Sequence, residues 1–267
     1  MFNIDLYRKD LYRLVRAQKL SRLTAAAYIG CLERLNEHIR AGMSVPDAIR
    51  VSCKDTKQGG KYISAVRKYE RDILDAPKSL LYGQELIDLR TQYRQKPTGQ
   101  EPILPEQTYL RKINRLNNET VRIALRLQVR SGLRIAEIGD LRAEDIEITD
   151  DGIKLFVRCG KGRKSRHVDV IKDDFLEKHL KELLEGKSGV DKAFDYSTAY
   201  LKKKATALGI PTHDLRRINS RMRYREQRGN GSGRRTARRE VQKQLGHAQA
   251  STTNLYLGKE WSENESE

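Results

Sequence analysis

The sequence predicts a mainly α-helical chain of two domains, with a small antiparallel β ribbon or sheet in the second. Three observations predict it. Apolar residues recur at helical spacing through most of the 267 positions. Only around residues 153–170 does the pattern change to strand-like alternation. Between these halves, residues 95–103 lack an apolar period and are rich in breakers, including Pro97, Gly99 and Pro102. The boundaries follow: a helical domain over 1–94, a linker over 95–103, and a second domain over 104–267.

In the first domain, residues 3–20 set Leu6, Leu11, Leu14 and Val15 among Arg and Lys at near-helical spacing. A second helix fits 22–41, where Ala25, Tyr28, Ile29, Leu32 and Leu35 form a stripe and Gly42 stops it. A short helix opens after Ser44, over 45–51. Gln58-Gly59-Gly60 reads as a turn, and the next helix as Lys61–Leu74. This half is a small helical bundle whose chemistry suits grip rather than reaction.

In the second domain Pro105 stands near a helix start, where a missing amide donor costs little. An apolar helix fits 118–130, Ser131-Gly132 interrupts it, and another begins at Leu133. Ile153, Leu155 and Val157 alternate with Lys154, Phe156 and Arg158; Cys159–Lys164 reads as a turn and Arg166–Val170 as the returning strand of a two-stranded ribbon. Helices then fit 172–184, 197–208, His213–Met222, 237–245 and 250–257, with Gly229–Gly233 as a break.

The formal net charge is +17, from 53 Lys and Arg against 36 Asp and Glu, and both halves are basic. Residues 201–240 hold 13 basic and 3 acidic side chains. Such a balance favours a nucleic-acid partner, bound through phosphates with counterion release. A basic protein without such a partner is the plainer alternative. Cys31, Cys53 and Cys159 are odd in number and far apart, so neither a disulfide framework nor a metal cluster is expected, and a reducing cytoplasm fits. No run approaches the ~18 apolar residues of a membrane span, and the opening Met-Phe-Asn-Ile-Asp has no secretory core. No membrane partner is expected.

The reactive residues lie in the second half. Arg134 follows Gly132 between Leu133 and Ile135; it can clamp a phosphate with two parallel hydrogen bonds or pair with Glu137 three residues on. Lys161 stands between two glycines at the tip of the ribbon, where it can reach a backbone or a leaving oxygen, or simply be solvated. The flanking Gly160-Lys161-Gly162 lacks the Walker spacing, so ATP is not implied. His213 and Arg216 share a helix face at i and i+3, near a helix start whose free amides favour anions. His247 follows Gly246, and nine residues later comes Tyr256, one of 12 tyrosines. A phenol with a pKa near ~10 is a weak nucleophile until cations surround it.

Together these segments carry more than their parts. Ser131-Gly132-Leu133-Arg134-Ile135-Ala136-Glu137-Ile138, Cys159-Gly160-Lys161-Gly162-Arg163-Lys164-Ser165-Arg166, His213-Asp214-Leu215-Arg216, and Leu245-Gly246-His247 with Ser251–Tyr256 resemble the tyrosine recombinases, or phage integrase family. The resemblance spans about 104–257 in the family's order, and the helical first domain is similar to the family's core-site-binding domain in size and character.

The resemblance implies a two-domain tyrosine-recombinase-like architecture. It implies a site-specific DNA recombinase or integrase that cleaves and rejoins DNA through a 3′-phosphotyrosyl intermediate and exchanges strands through a Holliday junction. Tyr256 is then the nucleophile, Arg134 and Arg216 hold the phosphate, and Lys161 protonates the leaving 5′ oxygen. His213 assists proton transfer, His247 donates to a phosphate oxygen, and Glu137 supports the set. No metal and no cofactor are expected, since the ester conserves the bond energy. The implied partners are double-stranded DNA at paired core sites with inverted repeats, and further copies in a tetramer on DNA. An accessory directionality factor is left open.

DNA-contact candidates are Arg163, Lys164, Arg166, Arg217, Arg228, Arg234 and Arg235 in the second domain, and Lys61, Arg67 and Lys68 in the first. The spacing from Arg216 to His247 is longer than in compact members, and residues 228–235 read as a flexible basic loop. Trp261, in an acidic tail with Glu260, Glu263, Glu265 and Glu267, is the candidate anchor on a neighbouring protomer. With one domain before the catalytic part, simple core sites and no arm-binding module are expected. The competing readings are a catalytically silent DNA-binding protein of the same fold, a type IB topoisomerase-like nicking-closing enzyme, and an RNA-binding or general basic structural protein.

Overall fold

The computed structural model describes residues 1–53, 56–75, 83–95, 102–160 and 164–262. The chain divides into two compact units, Met1–Gln100 and Glu101–Glu267. Most of the linker stretch, 96–101, lies outside the described residues.

The first unit is built from α1 (Ile4–Arg16), α2 (Arg22–Arg40), α3 (Val45–Ser52), α4 (Thr56–Ile73) and α5 (Gly83–Gln95). Asn3, Ser21 and Ser44 cap the first three, each accepting from an amide in the first turn. Tyr7 and Leu11, Ile29, Leu32 and Leu35, Ile49, Ile63 and Val66, Leu86 and Leu89 form one core. The buried face of α1 is set by Tyr7, whose hydroxyl donates to the Ala65 carbonyl at 3.1 Å, while Leu6 is exposed. Gln58-Gly59-Gly60 is helical rather than a turn: α4 begins ahead of it, and Gly59 is buried inside the helix.

The second unit wraps helices around α7 (Glu119–Ser131), whose Val121, Ile123, Ala124, Leu125, Leu127 and Val129 are all buried. α6 (Glu106–Asn114), α8 (Ile135–Asp140), α9 (Asp174–Leu184), α10 (Thr198–Ala207) and α11 (Thr212–Gly229) pack against it. Asp173 caps α9 and reaches Arg126 and Arg130 of α7; burial pushes its carboxyl up, but these bonds hold it below the usual range. Beyond α11 lie α12 (Arg234–Leu245), α13 (Ala250–Leu257) and the short α14 (Lys259–Ser262). Their small separate core holds Tyr224, Ala237, Val241, Leu245 and Leu257, with Trp261 packed on it.

The β element has three strands rather than two. β1 (Ile146–Thr149), β2 (Gly152–Val157) and β3 (Arg166–Asp169) form an antiparallel sheet in that order, pairing Ile146 with Leu155 and Val157 with Arg166. Ile153, Leu155, Val157 and Val168 face the core. The expected basic loop at 228–235 is also mostly helix. Arg228 and Gly229 end α11, Arg234 and Arg235 open α12, and only residues 230–233 lie between. α11 continues past Met222 because Arg223 and Tyr224 are buried against its neighbours.

Gly132 ends α7 with φ +69°, and an added Cβ would lie 2.4 Å from Asn219 Oδ1. Asn219 Nδ2 donates to the Val129 and Arg130 carbonyls, closing the helix end. Gly132→Ala is expected to destabilise the protein by about 2 kcal/mol or more, from a left-handed residue and a crowded amide together. A lower urea midpoint with unchanged slope would register this.

Candidate active site

The site is organised by one buried carboxylate. Glu137 is the third residue of α8, and its Oε2 accepts from the Arg134 amide at 2.8 Å, closing the helix start. Its Oε1 accepts from Arg134 Nη1 at 2.9 Å. From β3, Arg166 adds two parallel bonds, Nη1 to Oε1 at 3.1 Å and Nη2 to Oε2 at 2.9 Å. Burial pushes the Glu137 carboxyl up, yet the Arg166 and Arg134 bonds outweigh it and hold the group below the usual carboxylate range.

Arg216, on α11, is only 1% exposed. Nη1 donates to the Gly132 carbonyl at 2.5 Å and Nη2 to the Leu245 carbonyl, so two helix ends fix the guanidinium. Glu137 Oε2 lies 3.9 Å away. Burial and then the Arg134 guanidinium push Arg216 down to about 10, which still leaves it a cation at neutral pH. Its buried Nε has no hydrogen-bond partner among the described residues. Three guanidinium groups therefore surround one carboxylate, and the surplus of positive charge is held in place before any ligand arrives. A phosphate is the anion whose charge and geometry match such a cluster.

His213 is the second residue of α11, and its Nδ1 lies 3.3 Å from the Tyr256 hydroxyl. Burial, then Arg216 and Arg134, hold its pKa below the usual histidine value. Neutral imidazole is thus favoured, and with Nδ1 unprotonated it can accept a hydrogen bond from the Tyr256 hydroxyl. The next residue, Asp214, accepts from Tyr109 at 3.0 Å and from Arg217 at 3.1 Å, which leaves Arg217 largely covered.

Gly246 closes α12 at φ +64° and turns the chain so that His247 points inward, 8% exposed. Thr253 Oγ1 lies 3.0 Å from His247 Nδ1 and fixes the ring. The Tyr256 ring, on α13, meets the His247 ring edge-on at 4.7 Å, and the Arg216 guanidinium carbon lies 6.0 Å from its centroid. One chain thus brings Arg134, His213, Arg216, His247 and Tyr256 together around Glu137. Lys161 and Arg163 lie outside the described residues.

A cleft of about 860 Å³ opens beside this cluster, lined by Arg134, Lys164, Arg239, Lys243, His247 and Thr252 among others. The sequence reading missed Arg239 and Lys243; their i, i+4 spacing within α12, the helix that ends two residues before His247, was the available signal. It also missed Thr253, for which a buried hydroxyl carries no sequence mark. The expected DNA contacts differ in their surroundings. Lys164, Arg235 and Lys61 are exposed, Arg228 donates to the Ser232 carbonyl, Lys68 pairs with Asp72, and Arg67 lies 4.0 Å from Glu70. Arg234 and Arg238 sit over the Trp261 ring and Arg234 donates to the Trp261 carbonyl, so the tryptophan packs on its own chain.

Residues 106–262, more than half the chain, match the phage integrase family, and the chain belongs to that family. It is by class a tyrosine recombinase, a DNA strand-cleaving and rejoining enzyme. Three solved structures share the fold. XerH recombinase bound to a palindromic difH substrate, post-cleavage, is 19% identical with a TM-score of 0.68, over 97% of this chain and 83% of that one. A dimer of lambda integrase residues 75–356 on a COC′ core site is 15% identical with a TM-score of 0.64, over 96% and 94%. A lambda integrase tetramer bound to a Holliday junction is 17% identical with a TM-score of 0.61, over 99% and 79%. No curated protein matches this chain in sequence. Among the described residues, no helix is long and apolar enough to cross a membrane.

Two outcomes are expected. The His213 signal in an NMR titration should have its midpoint below ~6.5, the value of an unperturbed histidine. Glu137→Gln should cost about 3 kcal/mol, since it strips the anion from buried guanidinium groups. Because the folded-state pKa of Glu137 is depressed, its contribution is complete above ~4.5 and disappears as pH falls through the folded value. Urea midpoints against pH should therefore drop across that range in the wild type and drop less in Glu137→Gln.

Proposed function

We propose that this protein is a site-specific DNA recombinase that breaks and rejoins strands through a covalent bond between Tyr256 and a 3′ phosphate. The observation that carries the reading is the Tyr256 hydroxyl, 3.3 Å from His213 and bordered by Arg216 and His247 of the same chain. The steps balance without a further reagent. The phenol oxygen attacks the scissile phosphorus as its proton passes to His213 or to water. The P–O bond to the 5′ oxygen breaks, and Lys161 supplies the proton that makes it a hydroxyl. A second 5′ hydroxyl then attacks the phosphotyrosyl ester, restores the phosphodiester and releases Tyr256. Arg134, Arg216 and His247 hold the non-bridging oxygens, where charge increases in the transition state.

Nucleophile and clamp share one chain, which supports cleavage of the DNA that the same protomer holds. Strand exchange between two duplexes needs two cleavages on each, and hence four protomers, with a Holliday junction between the two rounds. The expected substrate is a pair of core sites with inverted repeats. Lys164, Arg239 and Lys243 contact backbone beside the cleft, and the helical N-terminal unit grips the flanking duplex, with Lys61 exposed on it. The three separate cysteines of the sequence suit a reducing cytoplasm as the setting.

Nicked duplexes drawn from DNA flanking the gene test this. The nick lets the cleaved 5′ end diffuse away, so active protein accumulates as a covalent adduct. Tyr256→Phe is expected to form none. Arg216→Ala and His247→Ala should each slow single-turnover adduct formation by about 10²–10³-fold, the usual cost of one transition-state donor. Adduct formation at an undiminished rate in Tyr256→Phe would refute the reading. Below the folded-state pKa of His213 the imidazole is protonated and cannot accept, so the rate should fall on the acid side of ~6.5.

A further inference from the structure

We infer that Arg166 is a positioning residue that aligns the site from behind, rather than a DNA contact. The inference rests on the proposed recombinase chemistry and adds a residue to it. One guanidinium joins three segments. Its Nη1 and Nη2 hold Glu137, on the helix that Arg134 opens. Its Nε donates at 3.2 Å to the Gln244 carbonyl, three residues before His247. Its own backbone begins β3, five residues after Lys161 in the sequence.

The surroundings are shaped to this side chain. A Cβ on Gly160 would lie 2.7 Å from Arg166 Nη1, and one on Gly246 would lie 3.1 Å from its Cδ and Nε. The guanidinium is thus enclosed between two glycines from opposite sides of the site. The Gly160 amide donates to the Lys164 carbonyl at 3.0 Å, so the described residues on either side of Lys161 meet beside the same group. The side chain is 12% exposed. Its five donors form a planar fork, so two parallel bonds and a third at the side fix distance and angle together. Lysine, with a single ammonium, cannot reproduce this. Arg166 acts through Glu137 and the Gln244 carbonyl and sets the spacing of Arg134 and His247.

Full-length Arg166→Gln and Arg166→Lys test this on the nicked duplexes described above. Binding affinity against salt and the single-turnover rate at saturating DNA are measured separately. The expected result is an unchanged salt dependence and affinity within about twofold, with a rate at saturation lower by about 30-fold or more in both variants. In DNA-free protein the His247 ring signals should also move, because the Gln244 anchor is lost. If the salt slope falls by about one and the rate recovers at saturating DNA, Arg166 is a phosphate contact and the inference fails. Unchanged rate and unchanged His247 signals overturn it equally. Should Arg166→Gln fail to fold, Arg166→Lys, which keeps the charge, carries the same comparison. If the wild type forms no adduct, the functional reading fails, and the His247 signals decide the positioning role alone.

Discussion

Glu137 is the point on which the catalytic unit turns. A buried carboxylate facing three arginines is neutralised several times over, and the cluster keeps an unsatisfied demand for negative charge. Without Glu137, burying Arg216 at 1% exposure would leave a cation with no anionic neighbour from this set, at a cost of several kcal/mol. With it, the site is assembled in advance and still attracts a further anion. The order of the site and its excess of positive charge thus come from the same imbalance.

The rest of the unit supplies rigid ends for that cluster. The chain reverses through left-handed glycines at Gly132 and Gly246, and the carbonyl of Gly132 and that of Leu245, next to Gly246, hold Arg216. Helix termini thus act as fixed acceptors for the buried guanidinium. Thr253 and Asn219 do comparable work for His247 and for the end of α7. None of these partners is itself reactive.

How much of this could be read from the sequence depends on periodicity. The helices around Ile29 and Leu125 carry clear apolar stripes, and the sequence reading places them within a few residues; for the helix at Leu215 it finds the start but stops seven residues short of the end. Among its described side chains α5 buries only Leu86 and Leu89, which is too weak a stripe to see. β1 is four residues long, with Ile146 and Ile148 its only alternation. The second half of α11 is almost wholly polar and is held by the burial of Arg223 and Tyr224, which tertiary packing decides. The residues that the fold gathers at Arg216 and Tyr256 were legible by type and order, because the phosphate chemistry proposed for them narrows the choices. Their supporting partners were not, because threonine, asparagine or arginine acquires such a role only from its neighbours in space. Arg166 shows the difference: in sequence it is one more basic residue after a basic turn, and in the fold it is a covered strut.

Tyr256 stands on α13, in the part of this unit that has its own small core. α12 and α13 close that core with Tyr224 of α11, five buried apolar side chains set apart from the large core around α7. Local opening costs less where fewer apolar contacts are broken. Against such opening, Arg216 spans the junction: its Nη1 holds the Gly132 carbonyl beside the large core and its Nη2 the Leu245 carbonyl at the end of α12, so the helices that carry His247 and Tyr256 are tied to the rest of the unit through one buried guanidinium.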